Sequence, residues 1–181
     1  MDIAHDRAGF YLCWGCLVWV PSLYTAPVMF LAERPGWLPS WGAAAAVFAA
    51  GALAIWINYD CDRQRAEFRR SKGKALVWGA PPRKIVASYR TADGGRKSSL
   101  LLLSGWWGLA RHFHYAPEIA AAFFWSLPGG NFVFPYMYVI FLAGLLADRA
   151  FRDDARCAAK YGRHWDAYRA AVPARVIPYV F

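Results

Sequence analysis

Residues 35–59 read PGWLPSWGAAAAVFAAGALAIWINY and contain no charged side chain. A helix of about 20 apolar residues crosses the roughly 30 Å hydrocarbon core of a bilayer, and this stretch is long enough to do so. Residues 8–32 are also uncharged, so the sequence predicts two successive membrane-spanning helices. Pro21 and Pro27 lie in the first of them and predict a kink or an interruption, which neighbouring helices make tolerable.

The overall composition also indicates a membrane protein. Of the 181 residues 58% are hydrophobic, whereas soluble domains usually have about 45–50%. The formal net charge is +9, and most cations lie between residues 63 and 111 or between residues 149 and 175. Basic blocks beside apolar runs follow the positive-inside pattern, so we expect membrane lipids as partners and no nucleic acid. We expect no removable signal peptide.

A third apolar region covers residues 119–147 and is interrupted by Pro128-Gly129-Gly130-Asn131 and by Pro135. Glycine and proline at this density indicate a turn between two short helices. Arg7 and both basic blocks then emerge on one side of the membrane, which the positive-inside rule makes the cytosolic side. The sequence therefore predicts an all-α fold, a polytopic membrane helical bundle forming a single domain over residues 1–181, with helices 8–32, 36–70, 115–127, 132–147 and 150–170.

The first basic block begins with a predicted helix that leaves the membrane at residues 62–74. Arg65 and Arg69 lie one turn apart on one face of this helix. Residues 75–89 alternate in polarity, and we expect a loop or a short hairpin with Asp93-Gly94-Gly95 as its turn.

Two further segments are predicted to lie at the membrane surface. Residues 99–110 are uncharged but too few to span, so a re-entrant or interfacial element is expected. Residues 148–168 repeat charges among aromatic rings, as an interfacial amphipathic helix does.

Ionisable residues follow the end of the 99–110 segment: Arg111, His112, His114, Tyr115 and then Glu118. Charges near membrane depth are costly, which makes these residues functional candidates; the alternative is a cation reaching out to the headgroups. His112 and His114 point apart on a helix, and neither a carboxylate nor a cysteine completes a ligand set, so we expect no metal site. Cys13 and Cys16 form a CxxC inside an apolar run and are expected to pack in the core.

Residues 152–165 read RDDARCAAKYGRHW and combine cations with aromatic rings. Guanidinium groups bind phosphate with two hydrogen bonds and rings stack on a base, so this set is typical of a clamp for a phosphorylated, aromatic ligand. A solvated, charged helix is the alternative. The sequence contains neither GxGxxG nor GxxxxGK[ST], which excludes a Rossmann or P-loop turn around a nucleotide.

Three strings of residues together resemble the sterol reductase family, and within it the plant-like members that act on a C7–C8 double bond. They are NYDCDRQRAEFRR at residues 58–70, LLSGWWGLARHFHY at residues 102–115, and RDDARC at residues 152–157 followed by Tyr161-Gly162. The end of the chain, with Val172-Pro173 and Ile177-Pro178, continues the resemblance. It covers essentially all of the chain.

This resemblance implies a multi-pass enzyme of the endoplasmic reticulum membrane with a cytosol-facing basic cofactor pocket. The enzyme uses NADPH to reduce the C7–C8 double bond of a 5,7-diene sterol by protonation and hydride transfer. Arg65 and Arg69 would contact the phosphates of the cofactor, and Asp153 would lie near the nicotinamide amide and serve as a proton relay. The other implied cofactor-binding residues are Leu102, Trp107, His114, Tyr115, Cys157, Ala158, Ala159, Lys160, Tyr161 and Tyr168.

Members of this family are much longer than the chain, and residues 1–6 resemble the middle of the family sequence. We therefore expect a C-terminal half, either a fragment or one part of a split enzyme. A separate N-terminal half would then be a partner and would supply part of the sterol pocket and the main proton donor.

Two other functions stay open. Membrane methyltransferases that act on isoprenylated cysteine with S-adenosylmethionine resemble the pattern of Arg111-His112, a charged helix, Tyr161-Gly162 and a proline-rich end. The Arg65 and Arg69 pair and Gly105-Trp106-Trp107-Gly108 favour the reductase. A non-catalytic sterol-binding fragment is the third candidate.

Overall fold

The computed structural model describes residues 8–91 and 93–178, which are mostly helical. Two helices are long and apolar enough to cross a membrane, Trp41–Arg70 and Phe134–Tyr161, and the bent pair Gly15–Tyr24 with Ala26–Glu33 makes a third if it forms one span. The described residues fall into two compact units, one drawn from ranges 1–52 and 121–143 and the other from 53–120 and 144–181.

In the first unit the predicted helix 8–32 is divided by its prolines. Helix α1 spans Ala8–Trp14, a π-helical segment spans Gly15–Tyr24, and α2 spans Ala26–Glu33. Pro21 lies inside the π-helical segment and cannot donate a backbone hydrogen bond. The chain bends by 45° between that segment and α2.

Aromatic contacts hold the first unit together. The ring of Trp19 stacks on that of Phe141 with centroids 4.4 Å apart, and Tyr24 meets Trp125 edge-on at 4.7 Å. Such pairs contribute about 0.5–1.5 kcal/mol beyond their buried area. Helices from distant parts of the sequence are thus joined in this unit.

Helix α3 spans Trp41–Arg70, a later start than the predicted range 36–70. Its first half is rich in alanine, the residue with the highest helix propensity. The helix ends where Gly73, at φ +75°, donates its N–H to the carbonyl oxygen of Phe68 at 2.8 Å. Arg65, Phe68 and Arg69 then lie on one face of the last three turns.

A β-hairpin follows α3, and it corrects the all-α prediction. Strands β1 (Lys84–Arg90) and β2 (Arg96–Leu102) pair antiparallel, with Ala87 opposite Ser99. The turn holds because the Thr91 N–H donates to the Gly95 carbonyl at 2.8 Å and Gly94 adopts φ +78°. The first residues of the predicted re-entrant or interfacial element 99–110 pair in β2, and Trp106–Leu109 forms a helical turn, α4.

The C-terminal helices differ from the predicted pair 132–147 and 150–170. Helix α5 spans Tyr115–Ser126, α6 spans Met137–Tyr161 and α7 spans Arg163–Ala171. Charged Asp148 and Arg149 do not end α6, because charge shows where a helix leaves lipid and does not prevent helical hydrogen bonding. Gly162 ends it instead, at φ +52°, a conformation that favours glycine.

The second unit contains both basic blocks, and its described residues include two clusters of buried side chains. The first cluster consists of Phe68, Val77, Leu102 and Trp107, and the second of Leu103, Trp165, Tyr168 and Val172. Both clusters therefore bring the hairpin end against residues from distant parts of the chain. Arg7, which was expected on the same side as these blocks, lies outside the described residues.

Candidate functional site

The second unit encloses a cavity of about 280 Å³. Its lining comes from α3, the end of β2, the segment around α4, α6 and α7. The lining residues are Arg65, Phe68, Arg69, Leu100, Leu101, Leu102, Trp107, Arg111, His112, His114, Tyr115, Asp153, Arg156, Cys157, Lys160, Tyr161, Trp165 and Tyr168.

Helix α3 contributes two cations to the cavity because Arg65 and Arg69 are four residues apart. The Cζ atom of Arg65 lies 4.5 Å from the centroid of the Trp107 ring, a cation–π contact that orients the guanidinium. Trp107 itself is held by its Nε1–H, which donates to the Cys61 carbonyl at 2.9 Å.

A buried carboxylate fixes the segment that carries Trp107. Asp60 accepts hydrogen bonds from Gln64 Nε2 at 3.0 Å and from Trp106 Nε1 at 2.8 Å. Gly105 lies so close to α3 that a Cβ atom there would collide with Gln64 Oε1. This close approach places Trp106 and Trp107 against α3.

A second buried carboxylate, Asp154, is paired with Arg111, and their side chains are 9% and 4% exposed. Arg111 Nε lies 3.5 Å from Asp154 Oδ1, and Arg111 Nη1 donates to the carbonyls of Val172 at 2.7 Å and Pro173 at 2.8 Å. Asp154 also accepts from Trp165 Nε1 at 3.0 Å. Burial lowers the pKa of Arg111 while Asp154 raises it. The pair fastens the C-terminal segment beside the cavity.

Two neutral histidines line the same cavity. Burial lowers the pKa of His114 to about 3; the charge of Arg65, and that of His112 whenever it is protonated, act in the same direction. Burial also lowers the pKa of His112. Among the described residues, His112 Nε2 and His114 Nδ1 are buried ring atoms without a hydrogen-bond partner. Buried polar atoms are normally paired, so these two are available to a ligand.

The opposite wall comes from α6 and α7. Asp153, Arg156, Cys157, Lys160 and Tyr161 follow the i, i+3, i+4 spacing of one helix face. Lys160 Nζ lies 4.3 Å from the ring centroid of Tyr89, so the hairpin also touches this wall.

Tyr168 of α7 closes the same wall. Its hydroxyl donates to the Trp107 carbonyl at 3.3 Å, and burial raises its pKa to about 12. Tyr168 is therefore uncharged at neutral pH.

Most of the residues assigned from the family resemblance lie together in this cavity. Ala158 and Ala159 are not among its lining residues. Ala158 packs on the cluster of Leu103, Trp165, Tyr168 and Val172, whereas Ala159 is exposed. The structure leaves both alanines outside the cavity lining, because consecutive helical residues point in different directions.

Several lining residues are not among the cofactor-binding residues that the resemblance implies. Arg111 and His112 were functional candidates on other grounds, and Arg156 and Trp165 belong to the predicted ligand clamp at residues 152–165. Phe68, Arg111, His112, Arg156 and Trp165 lie within or beside the quoted strings, and their helical or local spacing from assigned residues is the signal that could have found them. Leu100 and Leu101 carry no such signal, because their position depends on how the hairpin packs.

The cavity has the chemistry of a site for a phosphorylated, aromatic ligand. Five cations line it against one carboxylate, Asp153, and Trp107, Tyr115, Tyr161, Trp165 and Tyr168 supply aromatic surfaces. Arginine forks bind phosphate oxygens with two hydrogen bonds, and the orphaned histidine nitrogens fit the neutral polar groups of a ligand. The residues present thus fit a dinucleotide such as NADPH.

The whole chain, residues 1–181, matches the model of the ergosterol biosynthesis ERG4/ERG24 family. It is 62% identical to a 7-dehydrocholesterol reductase of Arabidopsis thaliana over 183 residues, covering 100% of the chain and 42% of the relative. It is 41% identical to the protein of that name from Danio rerio, covering 100% and 38%. A Delta(14)-sterol reductase of Methylotuvimicrobium alcaliphilum is 40% identical, covering 99% and 40%.

The chain spans about two-fifths of the length of these relatives. All three are named as sterol reductases, and the plant protein has a higher identity than the fish protein. The resemblance found in the three strings, including its plant-like character, is confirmed. This chain belongs to the ERG4/ERG24 family of sterol reductases.

Proposed function

We propose that this chain forms the cofactor-binding part of a sterol reductase that uses NADPH to saturate the C7–C8 double bond of a 5,7-diene sterol. The observation that carries the proposal is the cavity in which Arg65, Arg69, Arg111, Arg156 and Lys160 surround aromatic walls. The relatives named 7-dehydrocholesterol reductase support the choice of double bond. We place the enzyme in the endoplasmic reticulum membrane, with sterol arriving from the lipid side.

The cations of the cavity support NADPH over NADH. NADPH carries one phosphate more than NADH. Each phosphate is bound more tightly when arginine side chains donate two hydrogen bonds to it or a lysine ammonium lies beside it. Arg65 and Arg69 on α3 face the cavity together with Arg156 and Lys160 on α6, so phosphates can be held from two helices. We assign the phosphate contacts to this set.

The nicotinamide end of the cofactor would lie against the part of the cavity lined by His112, His114 and Asp153. His112 Nε2 and His114 Nδ1 are buried without partners, and neutral imidazole can donate or accept one hydrogen bond at such an atom. Asp153, whose side chain is 35% exposed, would hold the nicotinamide amide. NADPH, once bound, supplies a hydride.

A double bond that carries no electron-withdrawing group accepts hydride only when one of its carbons is protonated, so the site must also provide an acid and exclude water. His112 and His114 are poor candidates for this acid, because burial lowers the pKa of both and leaves them unprotonated at neutral pH. Asp153, or a water that it orients, is our candidate proton relay within this chain. A separate N-terminal part would complete the sterol pocket and supply a stronger acid.

Turnover of a 5,7-diene sterol with NADPH deuterated at the transferable hydrogen tests the proposal. We expect a product that carries one deuterium from the cofactor, and with unlabelled NADPH in D2O a product that carries one deuterium from water; the product mass shows the label in each case. A sterol with its double bond at C14 is the control, and its faster reduction would contradict the C7–C8 assignment. Bound NADPH without any reduced sterol, even when the N-terminal part is supplied, would favour a non-catalytic sterol-binding protein.

A further inference from the structure

An exposed tryptophan lies at the tip of a tight turn between α3 and β1. The Val77 N–H donates to the Ala80 carbonyl at 2.9 Å, and the Ala80 N–H donates to the Val77 carbonyl at 3.1 Å. The two residues between them have positive φ, +51° at Trp78 and +78° at Gly79. Such turns favour Asn-Gly or Asp-Gly, and a bulky residue at positive φ is a clear outlier.

Val77 holds the turn against the protein, and Trp78 points towards the surface. Val77 is buried with Phe68, Leu102 and Trp107. Trp78 in contrast is 60% exposed, although its ring meets that of Trp106 edge-on at 5.1 Å. Strained residues persist where the surrounding structure fixes them, and they concentrate at functional positions.

The contacts of Trp106, which meets Trp78, show beside which residue of α3 the turn lies. Trp106 Nε1 donates to Asp60 Oδ2 at 2.8 Å, and Asp60 is the first charged residue after the uncharged stretch 35–59. Helix α3 continues for ten residues beyond Asp60, a rise of about 15 Å at 1.5 Å per residue. The chain therefore leaves α3 at Arg70 and returns to the level at which the apolar part of this candidate span ends.

The groups around the turn have the chemistry of the membrane–water interface. Tryptophan is enriched at the headgroup level of membrane proteins, where its ring lies in the apolar zone and its N–H reaches water. Leu76 is also exposed, and the exposed cation Arg83 is held beside Ser104, whose Oγ accepts from the Arg83 N–H at 2.7 Å. The cation complements lipid phosphate.

We propose that the Val77–Ala80 turn seats Trp78 among the phospholipid headgroups of the membrane that α3 crosses. The anchor fixes the height of the hairpin above the bilayer. It rests on α3 being a membrane span and is independent of the cofactor or the reaction. The bound partner is thus a lipid surface.

Quenching by brominated lipids tests the anchor in the full chain reconstituted into phosphatidylcholine bilayers. The difference between the emission of the wild-type chain and that of Trp78→Phe is the emission of Trp78. Lipids brominated near the headgroup quench shallow tryptophans and lipids brominated near the chain end quench deep ones, so their comparison gives the depth of Trp78. Two further variants calibrate the depth scale: Trp56→Phe, in the apolar stretch of α3, and Trp165→Phe, which is buried in the protein. We expect Trp78 to be quenched more by the shallow bromines and Trp56 more by the deep ones.

Iodide in the aqueous phase provides the opposing measurement. Trp78 emission that is insensitive to both brominated lipids and strongly quenched by iodide would overturn the proposal. Protection from iodide that develops only after a second protein is added would also overturn it, in favour of a protein partner. Trp78→Asn is the second variant, because asparagine suits the turn: it should keep the thermal midpoint in detergent while losing the bilayer-quenched emission.

Discussion

Arg65 shows how a single side chain links the fold to the proposed site. Its guanidinium packs on Trp107, which α3 holds through the Cys61 carbonyl, so the cation is oriented before any ligand arrives. A guanidinium group that is already oriented loses less side-chain entropy when it binds phosphate. Cofactor affinity should therefore depend strongly on this residue.

Exchange of Arg65 for alanine is expected to raise the NADPH dissociation constant about 10- to 100-fold, because hydrogen bonds to charged groups contribute about 1.5–3 kcal/mol. Fluorescence titration in detergent measures the change. Arg70→Ala is the matched control: it removes the same charge from the end of the same helix, but Arg70 does not line the cavity. An equal loss in both variants would mean that only overall charge matters.

The neutral state of His114 predicts how stability varies with pH. The folded pKa of about 3 lies below the ordinary value of 6.5, so the unfolded chain takes up the proton first. Stability from this residue is complete above pH 6.5 and is lost as the pH falls from 6.5 towards 3. At pH 5 the loss should be about 2 kcal/mol, since one pKa unit corresponds to about 1.4 kcal/mol.

Thermal midpoints of the wild-type chain and His114→Asn, measured in detergent from pH 7.5 to 5, check this expectation. Asparagine keeps a polar side chain but does not titrate, so the variant should lose less stability on acidification. Identical slopes for the two proteins would contradict a buried, neutral His114.

The helices and the hairpin differ in how well their sequences predict them. Uncharged residues 41–59 mark α3 because apolar length decides whether a helix can span. The predicted helix end at residue 147 was wrong. Asp148 and Arg149 indicate where the helix leaves the lipid, whereas the helix itself ends at Gly162, whose positive φ breaks the helical backbone. The hairpin was expected only as an alternative to a loop, since its strands depend on packing with α7 and the buried clusters.

Gly105 and Gly94 offer a matched pair of substitutions at the ends of elements. Both have positive φ, but a Cβ atom at Gly94 meets open space, whereas one at Gly105 would collide with Gln64 and Val77. Gly94→Ala should cost about 1–2 kcal/mol for the left-handed backbone. Gly105→Ala should cost about 1–3 kcal/mol more for the overpacking. Thermal midpoints in detergent measure both, and equal losses would refute the close contact at Gly105.

The Arg111–Asp154 pair joins α6 to the C-terminal segment. Arg111→Met leaves a buried carboxylate short of its partner and should cost about 3–5 kcal/mol. The amides of Val172 and of residues 174–176 should also exchange hydrogen faster, because Arg111 holds the Val172 and Pro173 carbonyls.

Removing both charges separates this interaction from the loss of packing. Arg111→Met combined with Asp154→Leu should recover part of the stability, since neither buried charge of the pair remains. Arg169 and Arg175, which also lie 3.9 Å from Asp154 Oδ2, lose an ion-pair partner but are partly exposed to solvent. Arg163→Ala, an exposed cation at the start of α7, is the control and should change stability by less than about 1 kcal/mol. If the double variant lost more stability than Arg111→Met and Asp154→Leu lose together as single variants, the result would contradict the pairing.

For the whole molecule, the important observation is that two basic blocks far apart in sequence meet in one unit. The sequence predicts that these cations cluster on one side of the membrane, although charge alone could not identify the cavity. The family strings located most of its residues. They could not locate Leu100 and Leu101, whose contribution depends on hairpin packing, nor exclude Ala159, which lies on another face of α6.

Titration of the purified, detergent-solubilised chain with NADPH, NADH and S-adenosylmethionine tests the central claim most directly. Trp107 and Trp165 line the cavity, so tryptophan fluorescence reports binding there. We predict saturable binding of NADPH, tighter than that of NADH, and its loss in the Arg65→Ala, Arg69→Ala double variant. Preferential binding of S-adenosylmethionine, or NADPH binding that the double variant leaves unchanged, would contradict the assignment of this cavity.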